Sequence, residues 1–136
     1  MITAQNKGTN GSTGGTISQL IQKAGAKIAG AIQNASHKTG VDFSYLMQQA
    51  QIESSFRADV KSCSSSATGL YQFIDSTWLS MINKYGDKHG LSDLSNQISD
   101  TGKVSSTAAQ KEILDLRKDP KICSLMAAEM ASENKA

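Results

Sequence analysis

From Thr16 onward, apolar residues recur at the three- to four-residue spacing of an α-helix, and no stretch alternates as a β-strand would. The pattern is clearest at the start, where Ile, Leu and Ala side chains form one face of a helix that ends near Gly40. Residues 1–15 are instead rich in Gly, Thr, Asn and Ser, which predicts a disordered arm. The sequence therefore predicts an all-α domain over residues 16–136.

Each later helix is predicted to begin at a residue that can cap it. The predicted caps are Asp42 or Ser44, Asp75 or Ser76, Ser105 or Ser106, and Asp119, the last followed by proline at the first helical position. The polar stretch 87–104 predicts a loop with a short helical turn. The chain stops within or just after the last helix, which we interpret as a domain whose C-terminal part is incomplete.

Composition and charge give no reason to expect a nucleic-acid partner or a membrane span. Lys and Arg number 14 and Asp and Glu 12, which leaves a net charge of +2 and no dense basic face. No apolar run approaches the roughly 20 residues needed to cross a bilayer. The first residues also lack the basic start and apolar core of a secretory signal. His37 and His89 are far from each other and from the cysteines in sequence, so we expect no metal ion and no cofactor.

The chain has two cysteines, Cys63 and Cys123. If they pair, the disulfide closes a loop of about 60 residues and stabilises the fold by roughly 4 kcal/mol. The alternative is two separate thiols, one in a serine-rich loop and one on a helix. The spacing leaves both open, and a location outside the cytoplasm would favour the disulfide.

Glu53 is the residue whose position most suggests chemistry. Helical spacing puts it on the same face as Leu46 and Ala50, which are apolar. A carboxylate on an apolar face is desolvated, and desolvation raises the pKa of a carboxyl group. A glutamic acid that keeps its proton near neutral pH is suited to general acid catalysis of glycosidic cleavage. The alternative is a solvated glutamate at a helix end with no special role.

Three short segments occur together in this part of the chain. They are Glu53-Ser54-Ser55-Phe56, then Ala67-Thr68-Gly69-Leu70-Tyr71-Gln72, then Thr77-Trp78. Their order and spacing resemble those of the lytic transglycosylases of the soluble lytic transglycosylase type, relatives of goose-type lysozyme. The resemblance covers roughly residues 38–86. It implies a lysozyme-like helical domain that acts on the glycan strands of peptidoglycan.

The resemblance also implies roles for individual residues. Glu53 would protonate the glycosidic oxygen between N-acetylmuramic acid and N-acetylglucosamine, then act as the base that closes a 1,6-anhydro ring. Ser54, Gly69, Tyr71 and Gln72 would contact the substrate, with Gly69 letting the backbone approach it and Tyr71 offering a ring face. Tyr71 as a core aromatic and Ser54 as a helix cap remain open alternatives. We expect Phe56, Phe73 and Trp78 to lie in the core.

One part of the family pattern is missing. Relatives carry a tyrosine in an Ala-Tyr-Asn-type segment on a later helix, whereas Tyr85 comes too early here and no tyrosine follows it. Either this branch uses a different wall for its cleft, or the missing part lies beyond Ala136. Two other functions also stay open. One is a hydrolytic muramidase with a second carboxylate, for which Asp59 is the candidate, and the other is a non-catalytic peptidoglycan-binding module of an envelope-spanning assembly. In each case we expect a monomer in the bacterial periplasm or cell envelope, with envelope-machine proteins as further partners.

Overall fold

The computed structural model describes residues 16–135, except for the side chain of Lys135; the predicted arm, residues 1–15, lies outside them. Over these residues the fold is all-α and lysozyme-like, as predicted, and only isolated β-bridges join extended segments. The helices are α1 (Ile17–Ala24), α2 (Ala26–Thr39), α3 (Phe43–Ser54), α4 (Asp75–Tyr85), α5 (Ser92–Ser95), α6 (Thr107–Asp115) and α7 (Pro120–Lys135). Short 3-10 turns cover Asp87–His89 and Leu116–Lys118.

The prediction of one long first helix is wrong, because Gly25 divides it into α1 and α2. Gly25 has a φ of +86°, a left-handed conformation that only glycine adopts without strain. The chain therefore turns at this residue while the apolar periodicity continues through it. The first of the two helices starts with a capping box, in which Thr16 and Gln19 each accept a backbone N–H of the other.

Most of the predicted caps are confirmed. Asp42 accepts the Tyr45 N–H at 2.9 Å, Ser106 caps α6, and Asp119 accepts the Lys121 N–H at 2.9 Å at the start of α7. Asp75 is the exception: it is already the first residue of α4 and pairs with a distant arginine instead of capping the helix.

The core forms where α7 packs chiefly against α2 and also contacts α3 and α4. Phe73 and Trp78 are fully buried, their ring centroids are 5.1 Å apart, and the indole N–H of Trp78 donates to the Ile113 carbonyl at 2.8 Å. Phe56 is 8% exposed, so the core assignment of all three aromatic residues is confirmed. None of the helices between residues 16 and 135 has the length and apolarity needed to cross a membrane.

Candidate active site

Glu53 lies in the last turn of α3 and is partly buried. The helix ends immediately after it, because Ser55 adopts a left-handed conformation and its N–H returns to the Gln51 carbonyl at 2.9 Å. The next residue, Phe56, is left-handed as well and buries its ring in the core. The backbone that follows Glu53 is thus held by hydrogen bonds on one side and by packing on the other.

Ser54 joins the end of α3 to the second motif segment. Its side chain is buried, and its hydroxyl lies 2.7 Å from the Leu70 carbonyl and 3.1 Å from the Ala50 carbonyl. The shorter contact crosses 16 residues of sequence and fixes the helix end against the segment that contains Gly69 and Gln72. Ser54 is therefore committed to a contact within the protein.

Gln72 closes the loop between the first and the second motif segment. Its Nε2 amide donates to the Val60 carbonyl at 3.1 Å and to the Gly69 carbonyl at 2.9 Å, and the Gly69 N–H also reaches Val60 O at 2.8 Å. The two bonds from Nε2 use both hydrogens of the Gln72 side-chain amide. The Oε1 atom is the part of Gln72 that can accept a hydrogen bond from a ligand.

Left-handed backbone is concentrated at the first two motif segments, Glu53-Ser54-Ser55-Phe56 and Ala67-Thr68-Gly69-Leu70-Tyr71-Gln72. Across residues 16–135, the non-glycine residues with positive φ are Ser55 (54°), Phe56 (64°) and Gln72 (55°). Such a conformation costs an L-residue roughly 1–2 kcal/mol. Strain of this kind persists only where the surrounding structure enforces it, and it clusters at functional sites.

Gly69 is required by packing within the protein. Its φ is +91°, and a Cβ atom at this position would lie 2.2 Å from the backbone oxygen of Arg117. The space that the missing side chain leaves is therefore filled by the Arg117 backbone.

Arg117 is a buried residue that the sequence reasoning missed. Its Nη1 lies 2.9 Å from the carbonyl oxygens of Ser66 and Phe73 and 2.8 Å from Asp75, and its Nε donates to Leu114 O at 2.9 Å. One guanidinium thus ties both ends of the Gly69–Gln72 segment to the end of α6. Nothing in the sequence distinguishes this arginine from the exposed lysines around it.

Tyr71 lies in the core, in agreement with the alternative that the sequence left open. It is fully buried, and its hydroxyl donates to the Leu46 carbonyl at 2.7 Å. Burial raises the pKa of Tyr71 well above its ordinary value. The ring bridges α3 and the motif segment and offers no face to solvent.

The two cysteines do not form the disulfide that was considered. Both are free thiols, with Cys63 exposed in its loop and Cys123 buried in α7. The Cys123 thiol lies against the backbone of Leu70 and Tyr71, and burial raises its pKa to about 12. Because Cys123 is enclosed by the core, an exposed loop thiol cannot reach it without a rearrangement.

A set of charged contacts joins the end of α4 and the turn after it to α7, and it buries the side chain of His89. The His89 side chain is 5% exposed and its Nε2 lies 2.7 Å from Glu129, a buried carboxylate that Lys88 also reaches at 2.9 Å. One turn further along α7, Glu133 accepts a hydrogen bond from the Tyr85 hydroxyl, which raises the pKa of Tyr85 to about 12. These contacts hold the two helices side by side.

Asp59, the candidate second carboxylate, is an exposed residue in the turn after α3. Within the part of the chain that the structure describes, no group of three or more His, Cys, Asp or Glu side chains could hold a metal ion.

This combination of an all-α fold and a glutamate at a helix end, braced against a Gly-Leu-Tyr-Gln segment, defines a lysozyme-like protein. The sequence profile of the Transglycosylase SLT domain matches residues 30–102, more than half of the 136-residue chain. The chain therefore belongs to the SLT transglycosylase family. The matched range contains all three motif segments and most of α2.

Proposed function

We propose that this protein is a lytic transglycosylase that cleaves the bond between N-acetylmuramic acid and N-acetylglucosamine, with Glu53 as its single acid and base. The observation that carries the proposal is the clustering of strained backbone at the motifs: the left-handed residues Ser55, Phe56 and Gln72 stand on either side of the loop that follows Glu53. A fold accepts this cost where it must hold side chains in one geometry. Membership of the SLT family supports the same substrate class.

In the proposed reaction Glu53 starts as a carboxylic acid. Its proton moves to the glycosidic oxygen as the bond from that oxygen to C1 of the muramoyl sugar breaks, and N-acetylglucosamine leaves with a hydroxyl group. The C6 hydroxyl of the same muramoyl sugar then bonds to C1 and gives its proton to the Glu53 carboxylate. The 1,6-anhydro ring is closed, Glu53 is protonated again and no water is consumed. A nucleophile within the substrate has a high effective concentration, so a second carboxylate is unnecessary.

Among the residues around Glu53, Gln72 is the one that we propose for direct substrate contact, through Oε1. Ser54, Gly69 and Tyr71 act as positioning residues in this proposal, because each is buried and engaged with another part of the protein. They determine where the Glu53 carboxyl group and the Gln72 amide lie relative to each other.

The test compares Glu53→Gln with Asp59→Asn on purified peptidoglycan. Glu53→Gln keeps the size of the side chain but cannot carry the proton, so we expect it to lose clearing activity in a peptidoglycan gel. Asp59→Asn removes an exposed acid six residues away and should stay active. Mass spectrometry of the wild-type products should show muropeptides lighter by one water than hydrolytic products. Equal clearing by wild type and Glu53→Gln would remove the catalytic assignment.

Two alternatives predict different results in the same experiment. A muramidase gives products with a reducing end, and it would lose activity with Asp59→Asn if that residue activates the water. A peptidoglycan-binding module clears no gel as wild type or variant, yet both sediment with sacculi. We propose action in the periplasm or cell envelope, as a monomer, beside the proteins that build an envelope assembly.

A further inference from the structure

The side chain of Arg117 reaches across the fold to the segment that contains Gln72. It is 9% exposed, and its Nη1 atom donates to the carbonyl of Phe73, the residue that follows Gln72, at 2.9 Å. The bonds from Nη1 to the Phe73 and Ser66 carbonyls use both hydrogens of that nitrogen. Asp75 lies 2.8 Å from the same nitrogen and supplies the negative charge that a buried guanidinium requires.

The backbone of Arg117 holds the other end of the same segment. Gly69 has a φ of +91° and packs so closely on the Arg117 carbonyl that no Cβ atom would fit between them. The Gly69 carbonyl in turn accepts the Nε2 amide of Gln72 at 2.9 Å and the Gln72 backbone N–H at 3.1 Å. One residue thus fixes the chain on both sides of Gln72, since its backbone holds Gly69 and its side chain holds Phe73.

Gln72 needs this support because its backbone conformation is unfavourable for an L-residue. Its φ of +55° lies in the left-handed region, which a residue with a side chain leaves unless the surrounding contacts hold it there. Turning the Gln72 backbone toward the right-handed region redirects the chain at Phe73, and the bond from Arg117 opposes that change. The same turn redirects the Gln72 side chain and with it Oε1, the atom to which the proposed function assigns the substrate contact.

The loop stays closed without the guanidinium of Arg117. The Phe73 carbonyl also accepts the Thr68 N–H at 3.1 Å, and the Ser66 carbonyl accepts the Thr68 hydroxyl at 2.9 Å. Both carbonyl groups therefore keep a hydrogen-bond partner when the guanidinium is removed, which avoids the cost of an unsatisfied buried acceptor. The packing of Gly69 is kept as well, because it depends on backbone atoms. Substitution of the Arg117 side chain should thus leave the fold intact and release only the anchor of the loop to α6.

We propose that Arg117 is a positioning residue for the cleavage reaction, which acts by holding Gln72 in its left-handed conformation with Oε1 directed to the substrate. The contacts of Arg117 are independent of any activity, whereas their importance for cleavage rests on the proposed function. The guanidinium is suited to this task because it is planar and bonds in two directions. Its Nε donates to Leu114 O in α6 at 2.9 Å while Nη1 holds the loop.

The experiment is a double-mutant cycle between Arg117 and Gln72, with kcat/KM on soluble glycan strands as the readout. Arg117→Met keeps an apolar stem but removes the donors to the loop, and we expect kcat/KM to fall roughly 10- to 100-fold, the loss that a displaced catalytic group produces. Gln72→Ala should cause a loss of similar size. Because both changes act through one amide, the double variant should lie within about twofold of Gln72→Ala, whereas independent effects would multiply. The matched control is Lys118→Met, at the exposed next residue, which should keep wild-type activity.

Arg117→Lys repeats the test in a variant that keeps the positive charge beside Asp75, and it carries the cycle if Arg117→Met does not fold. A single ammonium group can bond to the loop but cannot also reproduce the bond to Leu114, so we expect a smaller loss of about three- to tenfold, again coupled to Gln72. Hydrogen exchange followed by NMR gives a readout that needs no activity. The Gln72 backbone N–H should exchange at least about tenfold faster in both Arg117 variants, while core amides of α2 and α7 keep their wild-type rates.

Three results would overturn the proposal. They are losses that multiply in the double variants, an unchanged exchange rate at Gln72, and a loss in Lys118→Met as large as that in Arg117→Met. Failure of the proposed function is a separate result, because it appears as a wild-type protein that cleaves no glycan. In that case the exchange rates still decide whether Arg117 positions Gln72.

Discussion

The hydrogen bond from Ser54 to the Leu70 carbonyl gives the sharpest test of how the site is held together. Ser54→Ala removes the hydroxyl and leaves Leu70 O in a buried position without its 2.7 Å partner. A net hydrogen bond contributes about 1 kcal/mol, and an unsatisfied buried polar group costs about 1–3 kcal/mol. We therefore expect Ser54→Ala to lower the free energy of unfolding by about 2 kcal/mol.

The chain contains a matched control for this substitution. Ser124 is also a buried helical serine, but its hydroxyl has no hydrogen-bond partner. It lies close enough to the Tyr71 oxygen to influence the pKa of that group, without the geometry of a hydrogen bond. Ser124→Ala removes the same atom and breaks no bond, so we expect a change within about 0.5 kcal/mol, or a slight gain in stability.

Urea unfolding can measure the difference through Trp78, the single tryptophan, which is fully buried and should change its fluorescence on unfolding. With an m-value of about 1.5 kcal/mol/M, a loss of 2 kcal/mol lowers the midpoint by about 1.3 M. Ser124→Ala should leave the midpoint within about 0.3 M of wild type. If the two variants unfold at the same urea concentration, the bond to Leu70 does not brace the end of α3 and the reasoning fails.

Three further predictions address other parts of the structure. Gly69→Ala should destabilise the protein by more than about 3 kcal/mol in the same assay, since strain and a clash add together. In the native protein a thiol reagent should modify Cys63 and leave Cys123 unmodified, while urea should expose both. Raising the pH from about 10 to 12 should remove the stability that Tyr85 contributes, because its folded pKa of about 12 is above its ordinary value of 10.

Each of these predictions has its own control. Gly90→Ala has a similar φ of +81° but open space around the new Cβ, so it isolates backbone strain from the clash with Arg117. Failure to modify any thiol in the native state would indicate that the cysteines are paired after all. For the alkaline effect, Tyr85→Phe is the reference: the stability gap between it and wild type should narrow as the pH rises, and a constant gap would contradict the assignment.

The sequence was informative where the determining interactions are local. A cap such as Asp42 bonds to a residue three positions away, so residue type and spacing were sufficient to predict it. The motif segments were found through their resemblance to a known family. The break at Gly25 was missed although it is local, because glycine is also tolerated inside helices and the apolar pattern runs on through it.

Long-range contacts account for the remaining differences. His89 and Glu129 are 40 residues apart in the sequence, and in the fold they bury each other. From the sequence alone, each would be interpreted as a solvated polar residue. Arg117 and the carbonyl of Ser66 are 51 residues apart. The orientation of Tyr71 depends on which surfaces of α3 and α7 are covered, and only the assembled fold determines that. Sequence spacing cannot encode such pairs without knowledge of the packing.

The role of Arg117 also has a consequence for biosynthesis. A ribosome-bound nascent chain that has not yet exposed Arg117 can form α3 and α4, but the loop between them lacks the cation that binds its carbonyl groups. Gly69 packs on the backbone of Arg117, so this packing contact and the bonds to the carbonyl groups form together. Cotranslational folding would thus leave the loop between Ser54 and α4 unanchored until the ribosome has synthesised α6 and the residues that follow it.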